Sequence, residues 1–389
     1  MLAAPRFLPA AAPLEEYGFW DYTTPGAGGM EAYQWDDYAA LLDDMAGTGM
    51  NSLVIVVKWA TTGYRSRLKY LDQDPSNQVI RSDNALLRRV IDEAHRHKIR
   101  VWLGAVVNCF DTARFTPKPY VSYQQFNGAT LQMTLGIYDT DTPGILERSV
   151  EVFTELAELF PAADGLEVEL EGSGREVEHR IPLYNEWAKR NGRPAFDQIG
   201  RPHDPRISDL TAWRDYTTES RCRVLAAIEK ALRSGGFRGQ LAQICETGKR
   251  DYLIRQEVNL RMFHERFPDW AAITYEYNKW EHRYGMMDIC IDEPKQLGLR
   301  VFYLGRGVMT WGGPKRPISL EQSWRMDVED VSRFGPHGFW WFGSGAVNEG
   351  GHVALTRLRA EGYADGRTAR KALLKTAGKL APNLPGGGR

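Results

Sequence analysis

Three glutamates at alternate positions, Glu167, Glu169 and Glu171, are interleaved with Leu166, Val168 and Leu170. In an extended strand that spacing puts all three carboxylates on one face and the apolar side chains on the other. Like charges in a row, and burial, both favour the protonated form of a carboxyl. A group held that way at neutral pH can deliver its proton to a departing oxygen, which is general acid catalysis. Glu171, nearest the end of the run, is best placed for this, with Glu169 beside it. Glu167, furthest in, is expected to pair with Lys58 or Arg306 and to brace the structure. Acid-catalysed cleavage of a glycosidic bond also uses a second carboxylate, about 5 Å away for retention and roughly 6.5–9.5 Å for inversion. Glu276 and Glu246 close two other apolar runs and are the candidates; Glu276 is preferred because Tyr275, Asn278 and Trp280 surround it.

Such groups work together only if a scaffold brings the ends of several strands to one place. Short β-rich runs recur at 17–22, 52–58, 101–107, 165–171, 240–246, 271–276, 301–304 and 339–342. The run 52–58, Ser-Leu-Val-Ile-Val-Val-Lys, is a near-continuous apolar run of the kind that strands buried on both faces show. Stretches of helical periodicity separate the runs, for example 85–95 behind Ser82 and Asp83, or 143–160 behind Pro143. Eight strand–helix alternations without consecutive hairpins predict an α/β fold, a closed (βα)8 TIM barrel forming one domain over 14–380. A doubly wound open sheet would want a phosphate-binding G-x-G-x-x-G turn, which the Gly-rich 25–29 segment lacks. Long βα loops are expected after strands three and four, with Tyr120, Tyr123, Tyr184 and Trp187 forming walls or lids.

In barrels of this kind chemistry sits where the strands end. The polar residues predicted there are Asp21, Lys58, Asn108, Glu169, Glu171, Glu246, Glu276, Asn278, Arg306 and Ser344, with Trp20, Trp59, Trp280, Trp311, Trp340 and Trp341 alongside. Aromatic faces and carboxylates converging on one pocket suit a sugar, which offers apolar ring faces and a rim of hydroxyls. Any one tryptophan could equally be filler between sheet and helices; six together make that reading much weaker. Lys58 and Arg306 could recognise an acidic sugar, or neutralise the glutamates of strand four.

Two segments resemble the family 18 chitinases. Residues 164–171, Asp-Gly-Leu-Glu-Val-Glu-Leu-Glu, are similar to that family's fourth-strand motif D-G-x-D-x-D-x-E, with Glu at 167 and 169 where the family has Asp. Residues 274–277, Thr-Tyr-Glu-Tyr, are similar to its sixth-strand Tyr-Asp element. The resemblance implies that Glu171 is the proton donor, that Glu169 steers the leaving-group side, and that Tyr275 and Glu276 floor the cleavage subsite. The family's Ser-x-Gly-Gly third strand is absent. The stretch 92–108 is similar to a helix-to-strand segment common in amylase-type barrels. Many retaining barrel glycosidases carry their nucleophile on strand seven, but the run 301–307 has no carboxylate.

Composition sets the outer limits. A chain of 389 residues with 43 % hydrophobic and 25 % charged residues can fill a large core. A net charge of −1 gives no reason to expect nucleic acid or an anionic membrane as partner, and no apolar run is long enough to span a bilayer. Cys109, Cys222, Cys245 and Cys290 lack metal-site spacing and are expected as buried thiols. Residues 1–13, broken by three prolines, read poorly as a signal peptide. The chain is therefore expected in the cytoplasm, or exported with a leader already removed, with flexible ends at 1–13 and 381–389. The expected partner is an oligosaccharide or other glycoside, with no cofactor and no metal; the sequence does not give the oligomeric state. Two other functions remain open. A metal-dependent sugar isomerase or epimerase would gather Glu171, Glu246 and Glu276 around a cation, with His179, His282 or His352 near. A non-catalytic carbohydrate-binding barrel would keep the tryptophans alone.

Overall fold

A computed structural model of the chain describes residues 14–117, 119, 121–127, 132–171, 180–199, 210–246, 258–275, 287–309, 318–350 and 353–380. Eight parallel strands close into a barrel: β1 (Glu16–Tyr22), β2 (Ser52–Lys58), β3 (Arg100–Val106), β7 (Gly165–Glu169), β8 (Gln240–Glu246), β9 (Ala271–Tyr275), β10 (Arg300–Arg306) and β11 (Gly338–Phe342). Each pairs with its neighbours in sequence order, and β1 closes the ring against β11. All eight predicted runs become barrel strands, within a few residues at their ends. The fourth stops at Glu169, so Glu171 stands on a turn just beyond it. The predicted flexible ends, 1–13 and 381–389, lie outside the described residues.

The helices follow from amphipathic spacing. In Ala85–Arg96 the buried residues are Leu87, Val90, Ile91 and Ala94, one stripe of a 3.6-residue period. The N-cap is Asn84 rather than Ser82 or Asp83, although Ser82 Oγ still accepts the Leu86 N–H at 3.0 Å. Leu320–Phe334, which the sequence reading did not delimit, is capped by Ser319 and ended by Gly335 at φ 55°.

Side chains, not open space, fill the barrel. Residues in register across parallel strands share a face, and the inward set includes Trp20, Val54, Trp102, Phe302 and Trp340. The Trp102, Phe302 and Trp340 rings meet edge to face with centroids 5.0–6.0 Å apart, and Trp340 Nε1 donates to Ser52 Oγ at 3.0 Å. So bulky a layer needs small partners. A Cβ on Gly165 would lie 2.3 Å from the Trp102 ring, and one on Gly104 would lie 2.1 Å from Glu167 Oε2. A second, larger core lies between the strands and the helices.

The two long connections are structured. After β3 comes a three-stranded antiparallel sheet, β4 (Cys109–Asp111), β5 (Val121–Asn127) and β6 (Gln132–Ile137), in the order β4-β6-β5. After β7 come helices Arg180–Arg190 and Phe196–Ile199. With the first part of helix Leu210–Ser234 they close a separate aromatic core of Tyr184, Trp187, Phe196, Trp213 and Tyr216. Tyr184 and Trp187, expected as walls or lids, are thus buried in that core. All four cysteines are buried thiols without disulfides.

Candidate active site at the strand ends

Glu171 is the best-defined polar group at the mouth. Its backbone N–H donates to Asn108 Oδ1 at 2.9 Å, and its carbonyl accepts from Asn108 Nδ2 at 2.8 Å. The same Nδ2 donates to Tyr138 O at 2.7 Å, so Asn108 ties together the ends of β3, β6 and β7. The side chain is half-buried, and its Oε2 accepts the Trp59 indole N–H at 3.2 Å. Trp59 follows β2 directly, and its ring lies 6.1 Å from that of Tyr22. Tyr22 leans on Trp20 and Phe342, with centroids 4.9 and 5.9 Å away. An aromatic wall thus runs from the barrel interior up to the carboxyl.

Glu169 points inward below Glu171 and is 8 % exposed. Burial first, and then the Glu171 and Glu169 carboxylates, keep the Cys109 thiol well above its ordinary range, while Lys58 pulls the other way. Cys109 is therefore a thiol. Glu167 lies one step deeper, fully buried, and neither of its carboxylate oxygens has a hydrogen-bond partner. Burial pushes it up to about 8, so it is a neutral acid at pH 7. The expected ion pair with Lys58 does not form. Lys58 Nζ donates instead to the carbonyls of Trp59, Val106 and Cys109 at 2.8, 2.5 and 2.7 Å. A register shift between Val56 and Lys58 breaks the in–out alternation at that point.

The remaining candidates divide by strand parity. Arg306 comes from the inward face of β10, with its Nε on Met309 O at 3.3 Å. Tyr275 is buried at the end of β9 and belongs to the same interior cluster as Trp20. Trp340 also faces in, but in the lower aromatic layer. Trp341 and Asp21 face the helices. Trp341 packs in the outer core, and Asp21 Oδ2 accepts both the Ser344 N–H at 2.7 Å and its hydroxyl at 2.6 Å. Burial raises Asp21 to about 6 despite those bonds. Glu276, Asn278, Trp280 and Trp311 lie outside the described residues, as do Tyr120, His179, His282 and His352; of Glu246 only the strand position is described. Tyr22 and Phe342 were not singled out in the sequence, although each stands two residues from a chosen inward tryptophan. That spacing was the available signal.

The excursions after β3 and β7 are bonded to each other a second time. Arg180, fully buried, meets Asp141 at 2.9 Å and Asp139 at 3.5 Å. Burial alone would raise the Asp141 carboxyl, but Arg180, Ser220, Tyr216 and Arg223 outweigh it and hold it below the usual range. Among the described residues no group of three or more His, Cys, Asp or Glu is arranged to hold a metal ion.

No protein-family model and no curated protein matches the chain. Solved structures do match its fold. A cold-adapted β-galactosidase from Rahnella sp. R3 is 13 % identical, with a TM-score of 0.61 over 97 % of this chain and 57 % of its own. A β-galactosidase from the psychrophilic Marinomonas ef1 is 12 % identical, with a TM-score of 0.60 over 94 % of this chain and 60 % of its own. A family 42 β-galactosidase from G. stearothermophilus, solved as a catalytic mutant, is 14 % identical, with a TM-score of 0.57 over 95 % and 57 %. The chain thus spans well under two thirds of the length of these enzymes. At such identities the likeness establishes the barrel fold and no more.

Proposed function

We propose that this chain is a glycoside hydrolase, or a transglycosylase, in which Glu171 is the proton donor. The observation that carries the reading is the pair of contacts on Glu171: its backbone is clamped by Asn108 and its Oε2 is held by Trp59. In this role the neutral acid carries its proton on Oε1, since Oε2 accepts the indole N–H. That proton passes to the glycosidic oxygen as the bond from sugar carbon to oxygen breaks. A second carboxylate, Glu276 or Glu246, either attacks the sugar carbon or takes a proton from the water that does. Glu169, the last residue of β7 and two residues before Glu171, is the inward carboxylate beside the donor.

The Trp59, Tyr22 and Phe342 rings supply the apolar surface on which a pyranose stacks, with Trp20 beneath them and Tyr275 and Arg306 at neighbouring strand ends. The fold shared with three β-galactosidases supports the reading and makes β-galactosides the first substrates to try. The resemblance of residues 164–171 to the chitinase motif assigns the same role to Glu171. The test is a panel of aryl glycosides and oligosaccharides given to the native chain and to Glu171→Gln. The native chain should cleave at least one substrate, and the variant should lose roughly 10²–10⁴-fold in kcat on it. Equal rates would remove Glu171 from the chemistry.

A further inference from the structure

Lys58 was expected either to recognise an acidic sugar or to neutralise the glutamates of strand four, and its ammonium is instead bonded to the backbone. Its ammonium has three N–H donors, and three backbone carbonyls take them: Trp59 O just past β2, Val106 O at the end of β3, and Cys109 O at the start of β4. The Phe110 ring covers it with its centroid 4.4 Å from Nζ, and no part of the side chain is exposed to solvent. The two residues that hold Glu171, Trp59 and Asn108, are both part of the short segments that Lys58 joins. We propose that Lys58 is a positioning residue for the proton donor: by drawing three carbonyls to one point it fixes Trp59, and through the Trp59 indole it fixes the Glu171 carboxyl. The inference rests on the role given to Glu171 above.

The chemistry of the site favours an ammonium over any neutral side chain. A neutral amine has two N–H bonds and would turn a lone pair on the third carbonyl, leaving a buried acceptor unmatched. The groups that act on Lys58 electrostatically are the Cys109 thiol and Arg148, whose guanidinium lies 5.2 Å from the same Phe110 ring. Burial is the dominant influence and lowers Lys58 to about 7.

The decisive measurement needs no substrate, so it stands or falls separately from the glycosidase reading. In protein labelled with ¹⁵N at tryptophan, the Trp59 indole resonance is assigned by its loss in Trp59→Phe. Glu171→Gln should then displace it further than any other indole. Repeated in a Lys58→Met background shown to be folded by its thermal transition and near-ultraviolet dichroism, Glu171→Gln should move it by less than a third as much. If Lys58→Met does not fold, the cycle is run with Lys58→Gln, whose amide can serve at most two of the three carbonyls; displacement should then fall to less than half. A displacement undiminished in the folded Lys58 variant, or absent in the native background, overturns the proposal. On a cleaved substrate the Lys58 variant should lose roughly 10–100-fold in kcat, as a slightly misplaced catalytic group does.

Discussion

Asn108 holds Glu171 by both ends of one residue's backbone, accepting its N–H and donating to its carbonyl. The pairing of β3 with β7 reaches Val106 and Glu169, and Val107 N–H still donates to Glu169 O at 3.1 Å. Beyond that point the Asn108 amide takes over the part a strand neighbour would play. Glu171 therefore keeps a fixed backbone although β7 has ended. Asn108→Ala removes one acceptor and a donor shared by two carbonyls in a buried place. It should cost about 2–4 kcal/mol by denaturant unfolding and should lower kcat on any cleaved glycoside. A stability within about 0.5 kcal/mol of the native chain, the range of an ordinary surface substitution, would contradict the clamp.

Trp59→Phe keeps most of the ring and deletes the N–H that meets Glu171. Misaiming a catalytic group by about 1 Å can cost on the order of 10²-fold in rate. A loss of about 10–100-fold in kcat with little change in KM is expected. A change confined to KM would make Trp59 a stacking surface alone.

Glu167 supplies a pH dependence of known sign. Its carboxyl stands at about 8 in the fold against 4.5 ordinarily. Between those values the folded chain holds a proton that the unfolded chain has released. Stability from this group is thus complete below pH 4.5 and is lost as pH rises toward 8. Glu167→Gln imitates the neutral acid and has no proton to lose. Its melting temperature minus that of the native chain should climb steadily from pH 5 to pH 8. Slopes from Glu16, Glu31 and Asp21, also raised by burial, are common to both proteins and cancel. A difference that stays flat would mean that Glu167 is ionised or solvated.

The inward direction of Glu167 can be tested by size. Gly104→Ala would press a methyl group against its carboxylate and should destabilise by about 1–3 kcal/mol. Adding Glu167→Ala should recover part of that loss, so the two changes together cost less than their sum. Additive costs would place Glu167 elsewhere.

Asp21 separates a structural role from substrate contact. Asp21→Ala strands the Ser344 N–H and hydroxyl and should cost about 2–4 kcal/mol. At a temperature where the variant remains folded, KM should match that of the native chain. A KM raised tenfold or more would return Asp21 to the sugar.

The barrel was legible because its strands are short, apolar and evenly separated; β2 and β8 fall on their predicted bounds. Inside the site, legibility followed parity. Trp20 and Asp21 are adjacent on one strand, as are Trp340 and Trp341, so one of each pair had to face the helices. Choosing all four as sugar contacts overlooked the pleat. Lys58 could not be placed from alternation, because the irregularity between Val56 and Lys58 leaves no mark in composition. The sheet β4-β6-β5 was hidden for another reason: β4 has only three residues, and β5 and β6 pair with a register shift.

The Trp102, Phe302 and Trp340 rings plug the barrel well below Glu171. A ligand cannot reach Glu171 along the barrel axis from beneath, since these rings close it. No extended chain could be threaded down the middle of the strands past that layer of rings.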